Sequence, residues 1–273
     1  MQTILLIDFN NFVWKGCVDF KGSNDQSYVV VFNFFRNLVS LIKQFYPTKI
    51  FLCGEGGKTF RHDLYSGYKA NRLIKLAEEM KPANKDKFYK QLNIIWDISE
   101  YFPFQRVFAN GFEADDVIYA LMSDLKNEDV VIVSNDSDFI QILQKKDFAK
   151  TANIYNPFTH QYVEAPKYHY LTYKICAGDK ADNIPAILSA KKAEKLASDP
   201  KSLASFLDKS PENLANYNLN KALIELTDIS LDKLTFLPYN IDYEIVAREF
   251  AKMKFNSFLR DYKAFVEVFS YLQ

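Results

Sequence analysis

The feature that most constrains the fold is a regular alternation of short β-branched segments with segments of helical periodicity. Thr3–Ile7 and Lys49–Cys53 are apolar and predict buried strands. Between them, residues 27–45 place apolar side chains at helical spacing, and Pro47 ends the pattern. A strand, a helix and a strand in this order predict two parallel strands joined by a right-handed crossover. We therefore expect an α/β core around a central, mostly parallel sheet flanked by helices.

The same alternation continues to about residue 166 and then stops. Further predicted elements are a helix from about 84 to 101, a strand at 105–108, a helix at 113–126, a strand at 130–133, a short helix at 139–143 and a hairpin at 153–163. Beyond Pro166 only helical patterns remain, at 167–176, 190–197, 201–208, 212–226, 243–253 and 256–271. We expect two domains, an α/β core at 1–166 and a smaller helical region at 167–273.

Composition places the chain among ordinary globular proteins, since 48% of its 273 residues are hydrophobic and 25% are charged. No apolar run approaches the roughly 20 residues of a membrane helix, and the N-terminus lacks the pattern of a signal peptide. Three widely spaced cysteines without a C-x-x-C pair argue against a disulfide scaffold and a zinc site. We therefore expect a cytoplasmic protein that does not contact a membrane.

The net charge is zero, from 34 basic and 34 acidic residues, but the charges are segregated. Residues 58–90 carry nine Lys and Arg side chains and only four Asp and Glu. Acidic residues gather instead in short clusters at 113–116, 136–138 and 179–182. A basic segment beside concentrated carboxylates is typical of proteins that bind phosphates and also hold cations.

Several carboxylates stand where α/β proteins bind ligands. Asp8 ends the first predicted strand, and Asp136 and Asp138 follow the strand at 130–133. In an open parallel sheet, sites form beyond the carboxyl ends of the strands. Each residue alone has an ordinary explanation, because Asp forms turns after strands and acids cap helices. Together they indicate bound cations, since two carboxylates 4 Å apart repel by roughly 4 kcal/mol at an effective dielectric of 20.

Carboxylate ligands without His or Cys suit hard cations, and we expect two or more Mg²⁺ ions, with Mn²⁺ as a substitute. Two such ions can activate a water molecule and stabilise the leaving oxygen of a phosphodiester. The three histidines, His62, His160 and His169, are scattered along the chain and are expected to be surface or hydrogen-bonded residues.

Five motifs follow one another along the chain. They are LLIDFNN at 5–11, the basic stretch with KTFRH at 58–62 and YKANR at 68–72, EADD at 113–116, SNDSDF at 134–139 and GDKADNIP at 178–185. With these motifs the chain resembles the 5′-nuclease superfamily, which comprises flap endonucleases, the 5′-nuclease domains of bacterial DNA polymerases and phage ribonuclease H-type 5′-exonucleases. The resemblance implies a PIN-like 5′-nuclease core, a helical arch at about residues 64–100 and a C-terminal helix-three-turn-helix region that binds duplex DNA.

The resemblance also implies roles for single residues. Metal ligands, direct or through water, are implied at Asp8, Glu113, Asp115, Asp116, Asp136, Asp138, Asp179 and Asp182. Lys69 and Arg72 are implied to polarise the scissile phosphate, which agrees with the negative charge that develops in the transition state. A solvated basic face is the alternative for these two residues. The full set of expected DNA contacts is Lys58, Arg61, Tyr68, Lys69, Arg72, Lys191, Lys192 and Lys195.

Two positions depart from the family pattern. The family has an Asp at the end of the strand before the basic stretch, but this chain has Gly54 there, followed by Glu55. Glu55 is either a substitute ligand or a plain loop residue. The family also often shows a Gly-x-Gly turn after the Ile-Pro pair, which is absent from residues 186–192. Lys191, Lys192 and Lys195 can compensate in part as charges.

We therefore expect a divalent-metal-dependent 5′-3′ exonuclease or flap endonuclease of phage or bacterial replication. As a monomer it would act on 5′ flaps, 5′ ends or RNA primers of DNA, with a single-strand-binding protein or a clamp as partners. One alternative is a PIN-type ribonuclease, which shares a carboxylate cluster on a parallel sheet. The other is a DNA-structure-binding protein that has lost cleavage, which the departure at Gly54 suggests.

Overall fold

Strand β1 (Thr3–Asp8) lies at the centre of a seven-stranded sheet in a computed structural model that describes residues 3–18, 28–70, 82–145 and 151–272. The other strands are β2 (Lys49–Cys53), β3 (Phe104–Phe108), β4 (Asp129–Val133), β5 (Thr151–Asn156), β6 (Gln161–Tyr162) and β7 (Thr235–Leu237). Their order across the sheet is β6-β5-β4-β1-β2-β3-β7. The five inner strands are parallel and both edge strands are antiparallel, which confirms the expected mostly parallel sheet.

Helices cover both faces of this sheet. Before β4 they are α1 (Phe9–Val18), α2 (Val29–Phe45), α3 (Phe60–Leu64), α4 (Pro82–Ile98) and α5 (Ala114–Asp124). After β4 they are α6 (Ile140–Leu143), α7 (Tyr170–Ala177), α8 (Ala190–Ala197), α9 (Pro200–Asp208), α10 (Pro211–Ile224), α11 (Tyr243–Lys252), α12 (Asn256–Leu259) and α13 (Tyr262–Glu267). Among the described residues, none of these helices combines the length and apolarity needed to cross a membrane.

The side chains of β1 alternate between two cores because successive residues of a strand point to opposite faces. Leu5 and Ile7 join the core formed with α1, α2, α4 and the last helices. Ile4 and Leu6 join the core formed with α5 and α6. Since β1 is buried on both faces, its backbone and the carboxylate that ends it are held rigidly.

Helix α1 is absent from the predicted elements, since Asn10 and Asn11 just after Asp8 favour a turn there. In the structure the helix begins directly at Phe9. Phe9, Phe12 and Val13 are all buried, and their spacing forms an apolar helical face against α2. This packing outweighs the turn preference of the two asparagines.

The prediction of a purely helical region beyond Pro166 is wrong at β7, which pairs antiparallel with β3 through Val107 and Phe236. The three-residue strand is too short to show a period of two in the sequence. Helices α11 to α13 then pack on the same core as α1 and α2. The division into domains at 1–166 and 167–273 stays a prediction, and part of the second unit contacts the first.

The C-terminal helices are attached through aromatic side chains. Phe250 of α11 is fully buried, and its ring lies 5.2 Å from Phe35 of α2, 5.3 Å from Phe255 and 5.5 Å from Phe265. Edge-to-face pairs of this kind stabilise a core beyond the apolar area that they bury. Phe250 thus joins the C-terminal helices to the α/β core.

We expect Phe250→Ala to lower the free energy of unfolding by about 3–5 kcal/mol, because it removes a large buried ring and leaves a cavity. Denaturant unfolding monitored by circular dichroism measures this loss. Phe236→Ala is the control, since that ring is 45% exposed, and it should cost less than about 1 kcal/mol. Equal losses for the two variants would contradict the described core.

Candidate active site

Asp8, Asp136 and Asp138, the strand-end group, lie where β1 and β4 end side by side. Strand β4 pairs with β1 on the side opposite β2, so the strand order reverses between them. Open α/β sheets bind ligands at such a switch point. The buried Ser134 hydroxyl donates a hydrogen bond to Asp8 at 2.9 Å and accepts one from the Asp136 backbone N–H at 3.0 Å. Sequence analysis did not single out Ser134, which fixes the two strand ends to each other.

The strand-end group carries negative charge that its surroundings do not fully neutralise. Burial, together with the nearby Asp136 and Glu55, raises the pKa of Asp8 to about 7, although hydrogen bonds from Ser134 and Asn11 oppose the shift. Burial and Asp136 also raise the pKa of Asp138 to about 7, although Lys174 opposes the shift. A nearby cation stabilises the charged form of buried carboxylates whose pKa values are raised in this way.

Glu113 and Asp115, the helix-start group, lie at the beginning of α5. Glu113 caps the helix and accepts hydrogen bonds from Tyr68 Oη at 3.0 Å and from Lys69 Nζ at 2.6 Å. Burial raises the pKa of Asp115 well above its usual value, and the neighbouring Asp116 and Glu113 raise it further. The helix start thus presents a second concentration of negative charge.

Asp116 is fully buried and belongs to a different interaction. Arg61 donates to its two carboxylate oxygens at 2.6 and 2.8 Å, and the Thr227 N–H adds a third hydrogen bond at 2.8 Å. Both oxygens are occupied, so the geometry gives Asp116 a structural role, while metal ligation by Asp116 remains a prediction. Arg61 is 1% exposed, and this burial does not favour the expected contact with DNA. The sequence could not reveal this, because the partner lies 55 residues away.

The position of Tyr68 does not favour the expected contact with DNA either. Its side chain is buried against Ile184, Leu223 and Ile224. Burial raises the pKa of Tyr68, and the adjacent Glu113 raises it further, so the hydroxyl stays protonated and donates to Glu113. Tyr68 therefore orients a carboxylate from within the fold.

Asp179 and Asp182, the loop group, lie in the turn that joins α7 to α8. The turn closes through paired backbone hydrogen bonds between Asp179 and Ile184. Gly178 has a φ of 69°, and a Cβ there would meet the Ile184 carbonyl oxygen at 2.6 Å, so only glycine fits. Two helices joined by this turn agree with the helix-three-turn-helix that the resemblance implies.

Two lysines connect the loop group to the other carboxylates. Lys174 Nζ lies 3.0 Å from Asp138 Oδ1 and hydrogen-bonds to Asp179. Lys69 Nζ bonds to Glu113 and lies 4.0 Å from Asp182 Oδ2. Sequence analysis missed Lys174, although a lysine beside the apolar Ile175 and Cys176 of a predicted helix was a detectable signal of a buried cation.

The chemistry of these donors fits divalent cations. Seven carboxylates from the strand ends, the helix start and the loop supply only hard oxygen ligands. Within the ranges described above, no three acidic, His or Cys side chains are already arranged to hold an ion. Ammonium groups lie between two of the carboxylate pairs, so ion binding requires these pairs to rearrange around a metal.

Trp96 packs against Gly54, the position at which the family has an Asp. A Cβ at this position would meet the ring of Trp96 at 3.0 Å, so the indole occupies the space that a longer side chain would need. Glu55 is exposed and close enough to Asp8 to raise its pKa. Its role as a substitute ligand remains a prediction.

Only some of the residues expected to contact DNA lie within the described ranges. Lys191, Lys192 and Lys195 are exposed on α8, and Lys58 is exposed beside Asp63. Lys69 lies at the edge of the carboxylates with 18% of its side chain exposed. Arg72 and part of the expected arch at 64–100 lie outside the described residues.

We expect Arg61→Met to lower the free energy of unfolding by about 3–5 kcal/mol, because it leaves Asp116 buried without its partner. Arg61→Met combined with Asp116→Leu should cost less than the single change. Lys58→Met is the control and should cost less than about 1 kcal/mol, since its ion pair is exposed. Arg61→Met that keeps full stability in thermal and denaturant unfolding would contradict the structural role.

Comparison with known proteins extends these observations. The family model described as 5′-3′ exonuclease, N-terminal resolvase-like domain, matches residues 3–169. A 5′-3′ exonuclease of Mycoplasmopsis pulmonis is 29% identical over 222 residues, which are 76% of this chain and 70% of the relative. A thermostable DNA polymerase I of Thermus aquaticus is 26% identical over 260 residues, and the match covers 88% of this chain but 29% of the polymerase.

The fold has solved counterparts as well. A structure of the flap endonuclease of bacteriophage T5, in a complex with DNA and metal ions, aligns with a TM-score of 0.63 at 19% identity. The alignment covers 82% of this chain and 89% of that chain. Because the family model matches more than half of the residues, the chain belongs to the 5′-3′ exonuclease family and with it to the 5′-nuclease superfamily.

Proposed function

We propose that the chain is a structure-selective 5′-nuclease that hydrolyses phosphodiesters at 5′ flaps, 5′ ends or RNA primers of DNA during replication. The observation that carries the proposal is that Lys174 and Lys69 connect the loop carboxylates to the strand-end group and to the helix-start group, beside the switch point of the sheet. Family membership supports the enzyme class. Mg²⁺ is the proposed ion, with Mn²⁺ as a substitute, because the ligands are all carboxylates.

The carboxylates would hold the ions in two neighbouring groups. Asp8, Asp136 and Asp138 would bind on one side, with Asp179 beside them. Glu113 and Asp115 would bind on the other side, with Asp182. When bound, divalent cations supply a water of lowered pKa and neutralise charge on the phosphodiester oxygens.

Lys69 would act on the scissile phosphate. In the described state its ammonium is bound to Glu113 at 2.6 Å. With a cation held at Glu113, the Lys69 ammonium would donate to a phosphoryl oxygen, where charge grows in the transition state. Arg72 would assist from the expected arch.

Substrate binding would extend over the helical region. Lys191, Lys192 and Lys195 on the exposed face of α8 would contact duplex phosphates, as would the exposed Lys58. A monomeric enzyme, and contacts to a single-strand-binding protein or a clamp, remain parts of this proposal.

We expect Asp136→Asn to reduce single-turnover flap cleavage in Mg²⁺ by at least about 10²-fold, because it removes a charged ligand at nearly constant shape. Flap binding in Ca²⁺ should change only a few-fold. Asp208→Asn, at an exposed residue of α9, is the control and should cleave normally. Full activity of Asp136→Asn would contradict the site.

The same assay distinguishes the two alternatives when single-stranded RNA is tested beside the 5′-flap duplex. A PIN-type ribonuclease would cleave the RNA and spare the flap. A DNA-structure-binding protein without cleavage would bind the flap and leave both substrates intact in Mg²⁺ and Mn²⁺.

We expect Lys69→Ala to reduce the single-turnover rate at saturating flap DNA by about 10²-fold, the scale for losing one donor to developing negative charge. The dissociation constant in Ca²⁺ should move much less, since Lys69 is one of many phosphate contacts. Lys58→Ala is the matched control and should weaken binding slightly without changing the saturated rate. A collapse of affinity at an unchanged rate would show that Lys69 only grips DNA.

A further inference from the structure

Lys174 occupies an unusual position for a lysine. It lies near the end of α7 between buried neighbours, and only 11% of its side chain is exposed. Its ammonium lies 3.0 Å from Asp138 Oδ1 and hydrogen-bonds to Asp179. One cation therefore joins a carboxylate of the strand-end group to a carboxylate of the loop group.

This contact places an ammonium where two expected metal ligands meet. An ammonium and a divalent cation both bind carboxylate oxygens. Two cations at the same oxygens repel each other strongly at short range. Asp138 and Asp179 therefore cannot close around a metal ion while Lys174 stays between them. Lysine is suited to leave, because its charge is carried on a flexible four-carbon stem.

The charge balance also explains why a cation is needed there in the metal-free protein. Asp136 and Asp179 both lie close enough to Asp138 to repel its negative charge. Without Lys174, this part of the site would hold three carboxylates and no counter-charge among the contacts described above. Buried carboxylates that lack a counter-charge destabilise the fold.

We propose that Lys174 is an internal counter-cation that holds Asp138 and Asp179 together in the metal-free protein and is displaced when a divalent cation binds. Lys174 thereby sets the affinity of this half of the site for metal. The inference rests on the proposed function only in taking a divalent cation as the cofactor. It concerns metal binding alone and can be tested without nucleic acid.

The direct test is calorimetric titration of the full chain with MnCl₂ in the absence of DNA. Lys174→Met keeps the length of the stem and removes the charge. We expect it to bind Mn²⁺ at least about tenfold more tightly than the wild type, because no ammonium competes for the carboxylates. Lys174→Arg keeps the charge and should bind no more tightly than the wild type. Lys221→Met, at an exposed lysine on α10, is the matched control and should behave as the wild type.

A second measurement uses the wild-type protein and does not depend on the folding of a variant. Lysine acetylation followed by mass spectrometry should modify Lys174 slowly in the metal-free protein, where it is buried and ion-paired. Saturating Mn²⁺ should increase its modification several-fold, while that of Lys221 stays constant. Unchanged labelling of Lys174 at saturating Mn²⁺ would overturn the inference.

The outcomes separate this inference from the proposed function. If the wild type and Lys174→Met both bind Mn²⁺ with equal affinity, Lys174 is not a competitor, while the nuclease proposal stands. Weaker binding by Lys174→Met would likewise overturn the inference and show that the lysine supports the metal site. If neither protein binds Mn²⁺, the inference and the proposed metal dependence both fail.

Discussion

Seven carboxylates repel one another near the carboxyl ends of the central strands β1 and β4. The elements around them hold these groups in place against that repulsion. The strand-end group is fixed by Ser134, which connects Asp8 to the Asp136 backbone. The helix-start group is held by Tyr68 and Lys69 through Glu113. These contacts let the fold keep like charges close together before any ion is present.

The buried pair of Arg61 and Asp116 stabilises the elements that carry the helix-start carboxylates. It joins α3 to the first turn of α5, and Arg61 also donates to the Leu223 carbonyl at the end of α10. Three elements that are distant in the chain are thereby held in one arrangement. The position of Glu113 and Asp115 depends on this pair, although neither Arg61 nor Asp116 is open to a substrate.

Sequence analysis identified the mostly parallel sheet and the carboxylates that follow its strands because these features are local. A short apolar, β-branched run followed by Asp can be recognised from a few consecutive residues, as at Thr3–Asp8 and Asp129–Asp136. The partners of Arg61 and Tyr68 were not predicted because they lie 45 or more residues away in the chain. A basic or aromatic residue in a polar segment is taken for solvent-exposed until the tertiary structure shows what covers it. Lys174 was missed although its apolar neighbours were a local signal, and β7 was missed because three residues are too few to show a period of two.

The contact between Gly54 and Trp96 couples two positions that are 42 residues apart in the sequence. A side chain at position 54 would press against the indole, so an aspartate there requires Trp96 to shift by a few tenths of an ångström. The effect of installing the family's acid at position 54 therefore depends on the residue at position 96, and the two substitutions are expected to be non-additive.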